Sequence, residues 1–81
     1  MSIHTLLFAR LAELCGWSER SITIADSASI ADLWDHLVIE YPTLEALRSS
    51  TRAACNAKVV GFDHHLFEHD EVAFLPPVGG G

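Results

Sequence analysis

Ser29-Ile30-Ala31-Asp32-Leu33-Trp34-Asp35-His36-Leu37-Val38-Ile39-Glu40-Tyr41-Pro42 is the stretch on which the fold turns. Ile30, Leu33, Trp34, Leu37, Val38 and Tyr41 recur at helical spacing and define one apolar face. Ser29 stands just before that face and Asp32 three residues after it, which predicts a capping-box start with Asp replacing the usual Glu. Asp35 and Glu40 fall on the opposite, solvated side. Pro42 ends the helix, because the residue before a proline avoids helical backbone angles. An amphipathic helix needs a sheet or another helix to cover its stripe.

The flanks supply the sheet. Upstream, Ile3 to Phe8 is an apolar run that reads as a buried strand. Arg10 to Cys15 switches to helix formers with Leu11, Leu14 and Cys15 at helical spacing, and Gly16 supplies the left-handed stop. Ser21 to Ile24 alternates polar and apolar residues, as a half-buried strand does.

Downstream, Thr43 to Arg48 predicts a further helical turn capped by Thr43, and Ser49-Ser50-Thr51 reads as a loop. Ala53 to Asn56 and Lys58 to Gly61 read as short strands around a turn. Asp63-His64-His65 and Glu68-His69-Asp70 are polar breaks, and Glu71 to Leu75 is a last strand ended by Pro76-Pro77. One long helix across one face of a mixed four- or five-stranded sheet satisfies this order. It is an α+β roll of ubiquitin-like style with the last strand well inside the sheet. The expected division is a folded domain over 1–75 and a protruding flexible tail over 76–81.

With 81 residues, one domain with a modest core is expected. The net charge of −6 argues against nucleic acid or an anionic membrane as the main partner, and a basic patch on a protein suits it better. Met1 to Thr5 shows no secretory pattern, and no apolar run approaches a membrane span. Cys15 and Cys55 suggest neither a disulfide framework nor a metal knuckle, so reduced thiols in the cytoplasm are expected.

Few residues offer chemistry. His64, His65 and His69 with Asp63 match no zinc spacing, and a polar turn between strands accounts for them; no metal site is expected. His4 reads as a strand surface residue and His36 as a helix flank residue. Cys15 and Cys55 lie in apolar contexts and read as small buried hydrophobes. Trp34 belongs to the helix stripe, whereas Trp17 follows a stop glycine and is expected to be partly exposed.

No phosphate loop, no Ser/His/Asp order and no paired-carboxylate motif is present, so no catalytic residue is assigned. That leaves Pro76-Pro77-Val78-Gly79-Gly80-Gly81. Two prolines favour a stiff extended stem, and three glycines make a tip thin enough to thread a narrow channel. On the residues alone, a frayed end and a working tail with its carboxylate on Gly81 both remain open.

Phe62-Asp63-His64, Asp70-Glu71-Val72-Ala73-Phe74 and Pro76-Pro77-Val78 running into Gly80-Gly81, together with Leu7-Phe8-Ala9, Ala12-Glu13-Leu14 and Gly16, closely resemble the small subunits of molybdopterin synthase. The similarity spans the chain and is most specific at its end.

The resemblance implies a sulfur carrier of β-grasp fold with no bound cofactor. An adenylyltransferase/sulfurylase similar to ubiquitin-activating enzymes would use ATP to adenylate Gly81, and sulfur would then replace an oxygen to give a thiocarboxylate. The tail, through Gly79 and Gly80, would thread into the large synthase subunit. There the sulfur would go to a cyclic pyranopterin precursor within a heterotetrameric sulfurtransferase whose catalysis lies in the large subunit. Phe74, Leu75, Pro76, Pro77 and Val78 would form the tail stem and interface. Strand alternation puts Phe74 and Leu75 on opposite faces, so at most one is mainly interface.

The sequence departs from the family at His69, where glycine is usual and a positive φ would be strained, and at Gly79, where Thr, Ser or Ala is commoner. A thiamine-type sulfur carrier, a ubiquitin-like protein modifier and a plain binding module are the rival readings. The Pro76-Pro77-Val78 lead favours the molybdopterin type over the first.

Overall fold

The computed structural model describes residues 1–77, in the order β1 (Ser2–Leu7), α1 (Ala9–Cys15), β2 (Glu19–Thr23), α2 (Ile30–Glu40), a 3-10 helix (Pro42–Ser50), β3 (Arg52–Cys55), β4 (Lys58–Val60) and β5 (Glu71–Leu75). The expectations placed on Val78, Gly79, Gly80 and Gly81 lie outside the described residues. The strands form one mixed sheet in the order β2-β1-β5-β3-β4. β5, the last strand in the chain, is central, parallel to β1 and antiparallel to β3, as expected of a roll of ubiquitin-like style. This is the expected helix-on-sheet roll.

α2 starts as its sequence predicts. The Oγ of Ser29 accepts the backbone N–H of Asp32 at 3.3 Å, and Oδ2 of Asp32 accepts the N–H of Ser29 at 2.8 Å. Two otherwise unpaired helix N–H groups are thereby satisfied. Ser29→Ala is expected to cost about 1 kcal/mol and to lower the melting temperature by roughly 4–8 °C, read by thermal unfolding. An unchanged melting temperature would mean the box contributes nothing to the native state.

The stripe of α2 buries Ile30, Leu33, Trp34 and Leu37 against the sheet's inner face, where Ile3, Leu7, Ile22, Val72 and Phe74 point. Trp34 sits edge-on to Phe74, with ring centroids 5.1 Å apart, and to Phe62 at 6.1 Å. Its indole N–H is buried and has no hydrogen-bond acceptor, so what holds Trp34 is apolar packing. Gly16 closes α1 at φ 82°, the left-handed angle expected of it.

Several local expectations change. The first strand ends at Leu7, and Phe8 is 45% exposed rather than buried. Within β1 only Ile3, Thr5 and Leu7 face the core, so the apolar run is a one-sided strand. Leu14, expected on the inner stripe of α1, is 37% exposed.

Thr43 caps nothing. Pro42 both ends α2 and opens the 3-10 helix, where a missing N–H is harmless, and Tyr41 takes the cap position. Ser49 and Ser50, read as loop, belong to that helix. The β3–β4 turn places Asn56 and Ala57 at φ 50° and 71°, the geometry of a two-residue hairpin that follows strand twist. His69 does adopt the strained φ, 67°, in a tight turn where Asp70 accepts the N–H of Phe67 at 2.9 Å.

Candidate functional site

The geometry of interest is the root of the tail. β5 leaves the centre of the sheet held on both sides, its ladder running against β1 through Leu7↔Phe74 and against β3 through Arg52↔Leu75. Pro76 and Pro77 follow at once and donate no ladder hydrogen bonds. The chain therefore leaves a stationary platform and does not hang from a loose loop.

Alternation decides which of the two paired candidates is interface. Phe74 is fully buried among Trp34, Phe62 and the strand neighbours, so its assignment to the interface is corrected: it is a core residue. Leu75 points to the other face and is half-buried, as is Pro76, while Pro77 is exposed. These three stem positions are available for contact. Gly79, Gly80 and Gly81 with Val78 lie outside the described residues, so their assignment remains an expectation.

Among the described residues no second layer lies on the outer face of the sheet. Leu6 pairs with Ala73, Ala73 with Ala54, and Ala54 with Val59, forming a row of apolar side chains across four strands. Leu75 lies one step toward the tail from Ala73. Phe8, extended at φ −117° and ψ 151°, continues the alternation of Leu6 and lies level with Leu75. Val59 is 62% exposed and Phe8 45%. A contiguous apolar face beside the base of the tail is a protein-docking surface in type.

Sequence reading missed Phe8, Val59 and the Leu6–Ala73–Ala54 row. The apolar side chains were legible, but their meeting depends on strand order. At the far side of this face His4 is set between two carboxylates, with Nε2 2.5 Å from Glu19 and Nδ1 3.3 Å from Glu71.

The thiols take no part. Cys55 is buried, and desolvation, reinforced by the charge of Asp70, pushes its thiol up to about 11; burial likewise raises that of Cys15. At neutral pH both stay protonated and weakly nucleophilic, as their apolar context predicted. Among the described residues no group of three His, Cys, Asp or Glu side chains is arranged to hold a metal ion. Among the same residues no helix is long and apolar enough to cross a membrane.

Comparison with known proteins fits this geometry. The sequence model of the ThiS family matches residues 5–81. Over 81 residues the chain is 37% identical to the molybdopterin synthase sulfur carrier subunit of Escherichia coli, covering 98% of this chain and 99% of that one. Its fold superposes on the crystal structure of small archaeal modifier protein 1 of Haloferax volcanii with a TM-score of 0.83 at 27% identity, covering 95% and 98% of the two chains. It also matches, at a TM-score of 0.70 and 21% identity over the full length of both chains, a chain from the complex of subunits 1 and 2 of the molybdopterin-converting factor of Helicobacter pylori. At that identity the likeness establishes shared fold.

Proposed function

The chain belongs to the ThiS family, and from that premise we propose that it is the sulfur carrier subunit of a molybdopterin synthase, working through the carboxylate of Gly81. The observation that carries this reading is the tail root: a central strand runs into Pro76-Pro77 beside an uncovered apolar face. The end-to-end similarity to the sulfur carrier subunit of Escherichia coli supports sulfur as the cargo and molybdopterin synthesis as the pathway.

The chemistry needs little from this chain beyond its end. A carboxylate is a poor acceptor for a sulfur nucleophile because its oxygen does not leave. An activating enzyme of the ubiquitin-activating type makes it leave: a Gly81 oxygen attacks the α-phosphorus of ATP and pyrophosphate departs. Sulfur at the sulfide level (HS−) then attacks the acyl carbon, AMP departs with the former carboxylate oxygen, the S–H proton is lost to solvent, and Gly81 ends as a thiocarboxylate.

The tail enters the large subunit, whose residues catalyse transfer of the sulfur to a cyclic pyranopterin precursor on the way to its dithiolene. Gly79 and Gly80 admit backbone where a β-carbon would clash. Leu75, Phe8 and Val59 dock the outer face, a non-catalytic role within a heterotetramer in the cytoplasm.

The test is reconstitution. With activating enzyme, ATP and a sulfur donor, intact-mass spectrometry is expected to show one oxygen replaced by sulfur. Addition of large subunit and pyranopterin precursor is then expected to yield molybdopterin. An unchanged mass rules out the carrier reading; a thiocarboxylate without molybdopterin points to another sulfur pathway, such as a thiamine-type one. The likeness to the archaeal modifier protein favours one second reading, conjugation of Gly81 to lysine amines of other proteins. Covalent adducts in the same mixture would reveal it.

A further inference from the structure

Cations are scarce in this chain, five Lys and Arg against eleven Asp and Glu, and their placement is uneven. Arg20 is held by Glu40 at 3.3 Å and lies over the ring of Trp17. Arg48 stacks on Phe62, its guanidinium carbon 3.4 Å from the ring centroid. Arg10, Arg52 and Lys58 are exposed and, among the described residues, form no ion pair. Of these three, Arg52 is the one set beside the root of the tail.

Its position is specific. Arg52 opens β3 and is the cross-strand partner of Leu75, so the two share the outer face at the base of the tail. A groove of about 500 Å³ lies there, lined by Ser49, Ser50, Thr51, Arg52, Pro76 and Pro77. The tail stem forms part of its wall, and Arg52 is the single charged residue lining it. The hydroxyls of Ser50 and Thr51 already donate to the carbonyl of Leu47 at 3.2 and 2.7 Å. The guanidinium is therefore the groove's uncommitted charged donor.

Any protein that takes in the tail must close over Pro76 and Pro77, and hence over this groove. Closure strips water from the guanidinium, and a desolvated cation left without a partner is strongly unfavourable. A carboxylate removes that cost and can meet the planar fork through two parallel hydrogen bonds, which also fixes orientation.

We propose that Arg52 is the docking residue for an Asp or Glu carboxylate of the large synthase subunit, placed at the mouth of the channel that receives the tail. The proposal rests on the sulfur carrier reading above. Its sign runs against the bulk of the molecule: a chain of net charge −6 attracts basic surfaces, yet at the tail root it calls for an acid. That contrast sets register, because an acidic group brought against most other parts of this surface meets carboxylates and is repelled.

The test is the affinity of the intact chain for purified large subunit, by calorimetry at low and high ionic strength, with wild type, Arg52→Gln, Arg52→Glu and Lys58→Glu compared. Lys58→Glu makes the same change in net charge from the β3–β4 hairpin. Arg52→Gln is expected to weaken binding by about three- to fivefold and Arg52→Glu by tenfold or more, the differences shrinking at high salt. Circular dichroism confirms that each variant is folded. Wild-type affinity in Arg52→Glu, or an equal loss in Lys58→Glu, overturns the proposal. Absence of binding by wild type overturns the assignment to molybdopterin synthase and this proposal with it.

Discussion

Deletion of Gly81 is expected to abolish sulfur transfer to the pyranopterin precursor and to leave the unfolding transition where it was. The residue left at the end, Gly80, still carries a carboxylate, so the loss is one of reach. One residue of extended chain spans about 3.5 Å, while misplacement of a reacting atom by roughly 1 Å can cost about a hundredfold in rate. Transfer in the reconstituted synthase is therefore expected to fall by at least about a hundredfold.

Stability is a separate matter, because the hydrophobic core found among the described residues runs from Ile3 to Phe74 and draws nothing from the stem. A change within about 0.5 kcal/mol is expected on deletion, as for substitutions away from the core. Near-normal transfer by the shortened chain would show that sulfur is not delivered from the position of Gly81. A large loss of stability would show that the tail is part of the fold.

Two adjacent residues give the second large effect. Phe74→Ala removes a fully buried ring packed against Trp34 and Phe62 at centroid distances of 5.1 and 5.9 Å. It is expected to cost about 3–5 kcal/mol. A domain of this length has roughly 4–12 kcal/mol in total, so a large share of the folded state's margin goes with one side chain.

Leu75→Ala acts on the opposite face, where the side chain is only half-buried. Its cost in stability is expected to stay within about 1 kcal/mol, well below that of a core truncation, while its affinity for the large subunit falls. Urea unfolding of both variants separates them. Equal losses of stability would contradict the assignment of Phe74 to the core and Leu75 to the docking face.

Much of this is legible in the sequence. The α2 stripe, its Ser29–Asp32 cap, the left-handed Gly16 and the end of β5 at Pro76 are all written in short windows, whereas the positive φ of His69 follows from the family resemblance. A cap, a stop or a stripe depends on neighbours within about one or two helical turns.

The expectations that fail do so for two reasons. Phe8 reads as part of a buried strand because its apolar character is local, whereas the layer that would cover it depends on distant elements. Thr43 reads as a cap because Pro42, its immediate neighbour, marks a helix ending as readily as a beginning.

The sequence by itself determined the elements, the helix-on-sheet class and the composition of the tail from Pro76 to Gly81, since periodicity, caps and special residues act locally. Tertiary structure alone decided that Phe74 is core and Leu75 is surface. It also decided that Leu6, Phe8, Arg52, Val59 and Leu75, spread over almost the whole chain, meet at one face. Alternation divides a strand into two faces but does not say which is covered, and register between strands distant in sequence follows only from packing the whole sheet against α2.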